Sequence, residues 1–148
     1  MAASGNSRAA TGSAAATAVA PLTLAHWAGF QLSFGRFAVN GAGTVTVNAT
    51  TGAGATSGGA TFVTGSTTAT DRFIASGDPG RSIGIVTGGG VVTAGTSSMS
   101  FTTTPMLASG LLPPNGSGYF TVGGTLAVSA GQPGGNYTGS YVVSVAYN

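Results

Sequence analysis

The ionic chemistry open to this chain of 148 residues rests on Arg8, His26, Arg36, Asp71, Arg72, Asp78 and Arg81. His26 alone could serve as a general base near neutral pH, and it sits in the apolar run Leu24-Ala-His-Trp-Ala28. Two carboxyl side chains could in principle form a hydrolytic pair. Their contexts point elsewhere: Asp71 neighbours Arg72, and Asp78 opens an Asp-Pro-Gly turn, a structural use of aspartate. No Gly-x-Ser-x-Gly elbow, His-Glu-x-x-His helix or phosphate loop occurs. Two carboxylates are too few for a calcium site, and without cysteine there is no thiolate metal site or disulfide framework. No catalytic residue, cofactor or metal is expected. The chain does not read as an enzyme.

Composition narrows the classes further. Charged residues make up 4% of the chain and lysine and glutamate are absent, so the net charge is only +2. Nucleic-acid binding wants clustered basic residues, and these four arginines are scattered. A surface with so little charge repulsion associates readily with copies of itself. The 27 glycines could signal disorder, but a hydrophobic content of 42% argues for a folded core. Ala14–Phe30 is apolar, yet short for a membrane span and interrupted by Pro21 and His26. As an export signal it would follow Arg8 and be cut after Ala28; it is expected instead to remain in the mature chain. The Asn48, Asn115 and Asn136 sequons arise readily in a chain this rich in Thr and Ser.

The elements read as strands. Phe30–Phe34 alternates on even positions, and Phe37 and Val39 continue on odd ones, so Gly35-Arg36 reads as a bulge or corner. Asn40-Gly41 reads as a turn, Thr44–Asn48 as a strand, and residues 50–59 as a Gly/Thr/Ser loop. Short strands follow at Ala60–Val63, Arg72–Ala75, around Ile83 and Ile85, and at Ser98–Thr103. Gly88–Gly90 and Leu111–Gly116 read as breaks, and Phe120, Val122, Leu126, Val128 and Ala130 share one parity. About eight to ten short strands at regular spacing, with no convincing helix, predict an antiparallel all-β sandwich. Trp27, Phe30, Tyr119 and Tyr137 could stack on a sugar; burial in a core or a subunit contact is the better account.

Two stretches flank this body. Residues 1–17 are small and polar and form an arm; residues 18–148 form the sandwich domain. Ala10, Gly12, Ala14, Ala16 and Ala18 share even parity, which suits a strand of small residues entering a shallow groove. A flexible tail and an alanine helix are the rival readings, the helix opposed by Thr11, Gly12, Ser13, Thr17 and Pro21. At the other end, Asn136–Asn148 places Tyr137, Tyr141, Val143, Val145 and Tyr147 on one face of a single half-buried strand.

Ala18–Leu24, Leu32–Gly35 and Gly43–Val47, with Val122–Leu126 and Gly134–Asn148, resemble the opening and the ending of a bacterial secreted family long known only as a domain of unknown function. The ending is also similar to spore-coat-U-type pilins of archaic chaperone–usher pili. The resemblance implies an immunoglobulin-like antiparallel β-sandwich lacking one strand, completed in trans by the N-terminal donor strand of the next subunit. It implies a periplasmic chaperone and an outer-membrane usher as partners, and an extracellular, cell-surface filament as the destination. Carried over by position, Ala10, Gly12, Ala14, Ala16 and Ala18 would be the donor. Tyr141, Val143, Val145 and Tyr147 would line the acceptor groove. The cysteine pair of many pilins is missing, and the donor residues are unusually small.

Physical reasoning meets the resemblance at one point. A long apolar edge strand in a nearly uncharged protein aggregates unless it is covered. Covering it with the arm of an identical subunit is a heterologous contact, which propagates as a filament. Fifteen extended residues span roughly 50 Å, enough to run the length of a neighbouring sandwich. The expected function is therefore a structural, self-polymerising filament subunit. The alternative is a monomeric secreted sandwich acting as an adhesin or carbohydrate-binding module.

Overall fold

The computed structural model describes residues 6–148. Those residues form eleven strands and no helix: β1 (Thr23–His26), β2 (Phe37–Val47), β3 (Gly54–Phe62), β4 (Asp71–Ser76), β5 (Ser82–Thr87), β6 (Gly90–Ala94), β7 (Ser97–Pro105), β8 (Ser109–Leu111), β9 (Ser117–Val128), β10 (Thr138–Ser140) and β11 (Val143–Tyr147). Every pairing between these strands is antiparallel. The larger, eight-stranded sheet runs β1-β4-β9-β7-β6-β10, with β2 also on β9 and β3 on β2. The smaller sheet runs β11-β5-β8. No helix among the described residues is long and apolar enough to cross a membrane, and Ala14–Phe30 contains no helix at all.

β9 is the spine. Its first half pairs with β4, its second half with β2, and its other edge with β7. Alternation sends Phe120, Val122, Leu126 and Val128 inward, all buried. Near its centre both faces are covered, because the turn after β2 folds across it and Thr121 donates a hydrogen bond to the Ala49 carbonyl at 2.5 Å. Two glycines make that crowding tolerable. A Cβ on Gly123 would strike the backbone of Val47 and Ala49, and one on Gly124 the backbone of Thr102 and Thr103.

The core divides in two. Ala75, Ile83, Ile85, Leu112, Phe120 and Val122 pack between the two sheets. Val45, Ala60, Met99, Phe101, Leu126 and Val128 pack on the large sheet beyond the reach of the small one, covered by Leu32, Phe34 and Tyr137 from irregular segments. Tyr141 touches both clusters.

Several local expectations are corrected. Asn40-Gly41 is not a turn: β2 runs straight through it and the register with β3 shifts between Val39 and Gly43. Close approach explains the shift, since a Cβ on Gly59 would meet the Gly41 backbone within about 2.5 Å. Residues 50–59 are not all loop, because β3 begins at Gly54. Its Gly, Ala and Ser residues have weak strand propensity, and the long β2 supplies the pairing that they cannot specify alone. Two further strands lie where the sequence predicts none: β6 at Gly90–Ala94 starts at the end of the Gly88–Gly90 break, and β8 at Ser109–Leu111 ends where the expected Leu111–Gly116 loop begins.

The largest correction concerns Asn136–Asn148. It is two strands in different sheets, β10 on β6 and β11 on β5, with the chain crossing at Tyr141-Val142. Alternation is preserved across the crossing, so parity alone does not reveal it. Gly35 has φ +76°, and the chain there turns from the Ser33–Ala69 bridge into β2, the corner that the change of parity predicts.

Candidate functional site

β11 closes the small sheet on one side only. Its partner is β5, in the register Val143–Thr87 through Tyr147–Ile83. The Gly88 amide donates to the Val142 carbonyl at 2.9 Å, and the Asn148 amide donates to the Ser82 carbonyl at 3.0 Å. Hydrogen-bonded and non-bonded pairs alternate in an antiparallel ladder. Ser144 and Ala146 therefore spend their backbone groups on β5, whereas Val143, Val145 and Tyr147 turn theirs to the outer edge. On the far side of β5 the same rule holds, since the Ile85 amide donates to the Ala108 carbonyl.

No described strand pairs with that outer edge. Beside it lies β1, the terminal strand of the large sheet, so two unpaired edges run along one flank of the molecule. Leu22 and Leu24 face Val143, Val145 and Tyr147 there, all only half-buried although they border the core. Of the sequence-predicted acceptor residues, Val143, Val145 and Tyr147 thus share one half-buried face of β11, beside β1. Tyr141 stands at its end, outside β11, where the chain crosses between sheets.

The arm leaves the body at this flank. Tyr147 accepts a hydrogen bond from the Asp78 amide and donates one to the Ala20 carbonyl, both at 2.7 Å. Residues 6–20, including Ala10, Gly12, Ala14, Ala16 and Ala18, are exposed and form no strand. Residues 1–5 of the predicted arm lie outside the described residues.

One constellation beside the start of β11 is not legible in the chain. Asp71 is only 6% exposed, and both its oxygens are occupied. Oδ1 accepts from His26 Nε2 at 2.6 Å and from the Arg72 amide at 2.9 Å; Oδ2 accepts from the Tyr141 hydroxyl at 2.7 Å. Three donors compensate a carboxylate that is otherwise withdrawn from water. Burial first, then the hydrogen bond to Asp71 and its charge, push the Tyr141 hydroxyl well above the usual phenol range. Asp71 thereby joins the end of β1, the start of β4 and the crossing before β11. The partners lie 45 and 70 residues from Asp71 along the chain, so no local motif marks them.

Arg72 does not pair with its neighbour Asp71 through its side chain. Its guanidinium lies 4.3 Å from the ring centre of Phe30, 4.8 Å from Tyr119 and 5.3 Å from Trp27. Tyr137 is elsewhere, donating to the Pro133 carbonyl, so the four candidate aromatics split into a trio and a single residue. His26 has its Nε2 bound to Asp71 and stacks edge-on against Phe73, a structural setting. Among the described residues no three His, Cys, Asp or Glu side chains cluster as a metal site would.

One protein family matches the chain, over residues 22–147, and it is described as Domain of unknown function (DUF4402). No curated protein and no solved structure matches.

Proposed function

From the premise that the chain belongs to the DUF4402 family, matched across nearly the whole body, we propose that it is the structural subunit of a bacterial surface filament, polymerising by strand donation between identical subunits. The observation that carries this reading is that, among the described residues, no strand pairs with the outer edge of β11 and residues 6–17 of the arm form no strand. Connectivity supports it. The order β1-β4-β9-β7 fits the ABED sheet of an immunoglobulin-like sandwich, β5-β11 fits strands C and F, and strand G would belong on the outer edge of β11.

The arm of a neighbour supplies that strand. Its backbone pairs with Val143, Val145 and Tyr147, whose free N–H and C=O groups form the acceptor ladder. Ala10, Gly12, Ala14, Ala16 and Ala18 enter between Leu22 and Leu24 on one wall and Val143 and Val145 on the other. Small donors suit a groove whose walls already touch the core. Head-to-tail donation does not close on itself, so the assembly is a fibre. A periplasmic chaperone would cover the edge before assembly, an outer-membrane usher would exchange it for the arm, and the product would be extracellular.

Deleting residues 1–17 tests the proposal. The truncated protein is expected to stay folded, to form no fibres by electron microscopy, and to remain monomeric by sedimentation. Fibres of unchanged length and abundance from the truncated chain would defeat it.

A further inference from the structure

Trp27, Phe30 and Tyr119 come together around Arg72 on the outer face of the large sheet. Register explains how. Phe73 and Phe120 stack inward opposite each other, so Arg72 and Tyr119, one position along on each strand, point outward. The Trp27 amide donates to the Arg72 carbonyl at 2.9 Å, extending β1 by one residue and laying the indole beside the guanidinium. The rings of Trp27 and Tyr119 meet nearly perpendicular, with centres 5.9 Å apart.

Two properties of this cluster are unusual for a mere surface contact. The rings stay open to solvent, Tyr119 at 57% and Trp27 at 39%. Arg72 is a cation without an anion: its side chain makes no salt bridge and no hydrogen bond among the described residues, and its Nε is fully buried and unpartnered. Aromatic faces hold the guanidinium in place and leave the terminal N–H groups to a ligand. A guanidinium so oriented matches a planar carboxylate, and the open rings match the apolar face of a pyranose.

A second copy of this chain is a poor source of that carboxylate. Of its two acidic side chains, Asp71 is buried and saturated by His26, Arg72 and Tyr141, leaving only Asp78 in a turn. We propose that Arg72, Trp27, Phe30 and Tyr119 form a binding site for a carboxylated saccharide, such as a uronic-acid polymer. The site lies on the sheet face rather than at the β11 edge, so it is independent of the filament reading.

Trp27 is the single tryptophan, which makes its fluorescence a direct reporter. The full chain is titrated at physiological salt with oligogalacturonate, with neutral dextran and with polyglutamate. Saturable change in Trp27 emission with oligogalacturonate alone is the expected result. Arg72→Gln should weaken binding by about 10-fold or more, the loss of one charge-assisted pair, while Arg36→Gln leaves it unchanged. Tyr119→Ala, at an exposed position, keeps the test decisive if the Arg72 variant unfolds, and it should weaken binding likewise. Absence of saturation with oligogalacturonate overturns the proposal. So does equal weakening by Arg36→Gln, or polyglutamate binding as tightly as the sugar.

Discussion

Asp71 shows how much one residue depends on distant ones. A carboxylate this deeply buried is tolerated because three donors reach it, and each donor comes from a different part of the chain. Tyr141→Phe removes one of them while preserving the ring that touches both core clusters. The expected cost is about 1–3 kcal/mol, read from denaturant midpoints at neutral pH. The same variant should alter the alkaline limb. Because folding raises the Tyr141 pKa, the native state holds that proton after the unfolded chain has lost it. Its contribution is complete below the unfolded phenol value of about 10 and declines as pH rises from there towards the folded value. Wild-type stability should therefore fall more steeply above about pH 10 than that of Tyr141→Phe, and equal slopes would remove Tyr141 from the account.

Among the elements, β11 has the most specific consequence. Odd residues present their amides to the open edge and even residues bind β5, so proline should distinguish the two sets. Val145→Pro is expected to leave the ladder with β5 intact, so near-native circular dichroism accompanies loss of fibres. Ala146→Pro removes an amide already engaged and should destabilise the isolated subunit by about 3 kcal/mol or more. If both variants assemble equally well, the outer edge of β11 is not where subunits join. β9 offers a second element-level test through its crowded centre. Gly124→Ala forces a Cβ against the Thr102 backbone and is expected to cost about 1–3 kcal/mol, lowering Tm by about 2–4 °C per kcal/mol.

At the scale of the whole molecule, the proposed assembly would supply what the composition withholds. A chain with a net charge of +2 and, among the described residues, a single His–Asp pair has little electrostatic protection against association. On the filament proposal, that tendency would be directed into one edge. A synthetic peptide of residues 6–20 added to the chain lacking residues 1–17 should raise Tm with peptide concentration, as any ligand selective for the native state does. A peptide carrying Ala14→Asp and Ala16→Asp should not, since the proposed apolar acceptor face would reject unpaired charge. If subunits join by strand donation as proposed, the arm's backbone bonds would have to break together, so dissociation should be slow and governed by a rate rather than an equilibrium. Incubating fibres at high dilution and following the release of subunits measures that rate.

Much of the architecture was legible because it rests on period-2 alternation. Val45 and Val47, Met99 and Phe101, and Phe120, Val122, Leu126 and Val128 of β9 are buried where their parity placed them, whereas Ala130, of the same parity, lies beyond the strand and is exposed. The contrast between a chain of small residues at the front and an aromatic, β-branched strand at the back was likewise written in residue type. What the chain could not show is which strand meets which. Parity is unchanged when Asn136–Asn148 crosses between sheets, and the glycine-rich β3 and the three-residue β8 are held by partners rather than by their own propensity. The same holds for chemistry: Asp71 and Arg72 are adjacent in sequence, yet alternation sends one carboxylate inward to His26 and Tyr141 and the other side chain outward to Trp27, Phe30 and Tyr119. Local pattern determines the face that a residue takes. Only long-range packing decides its neighbours, because pairing energy is set between strands and not within them.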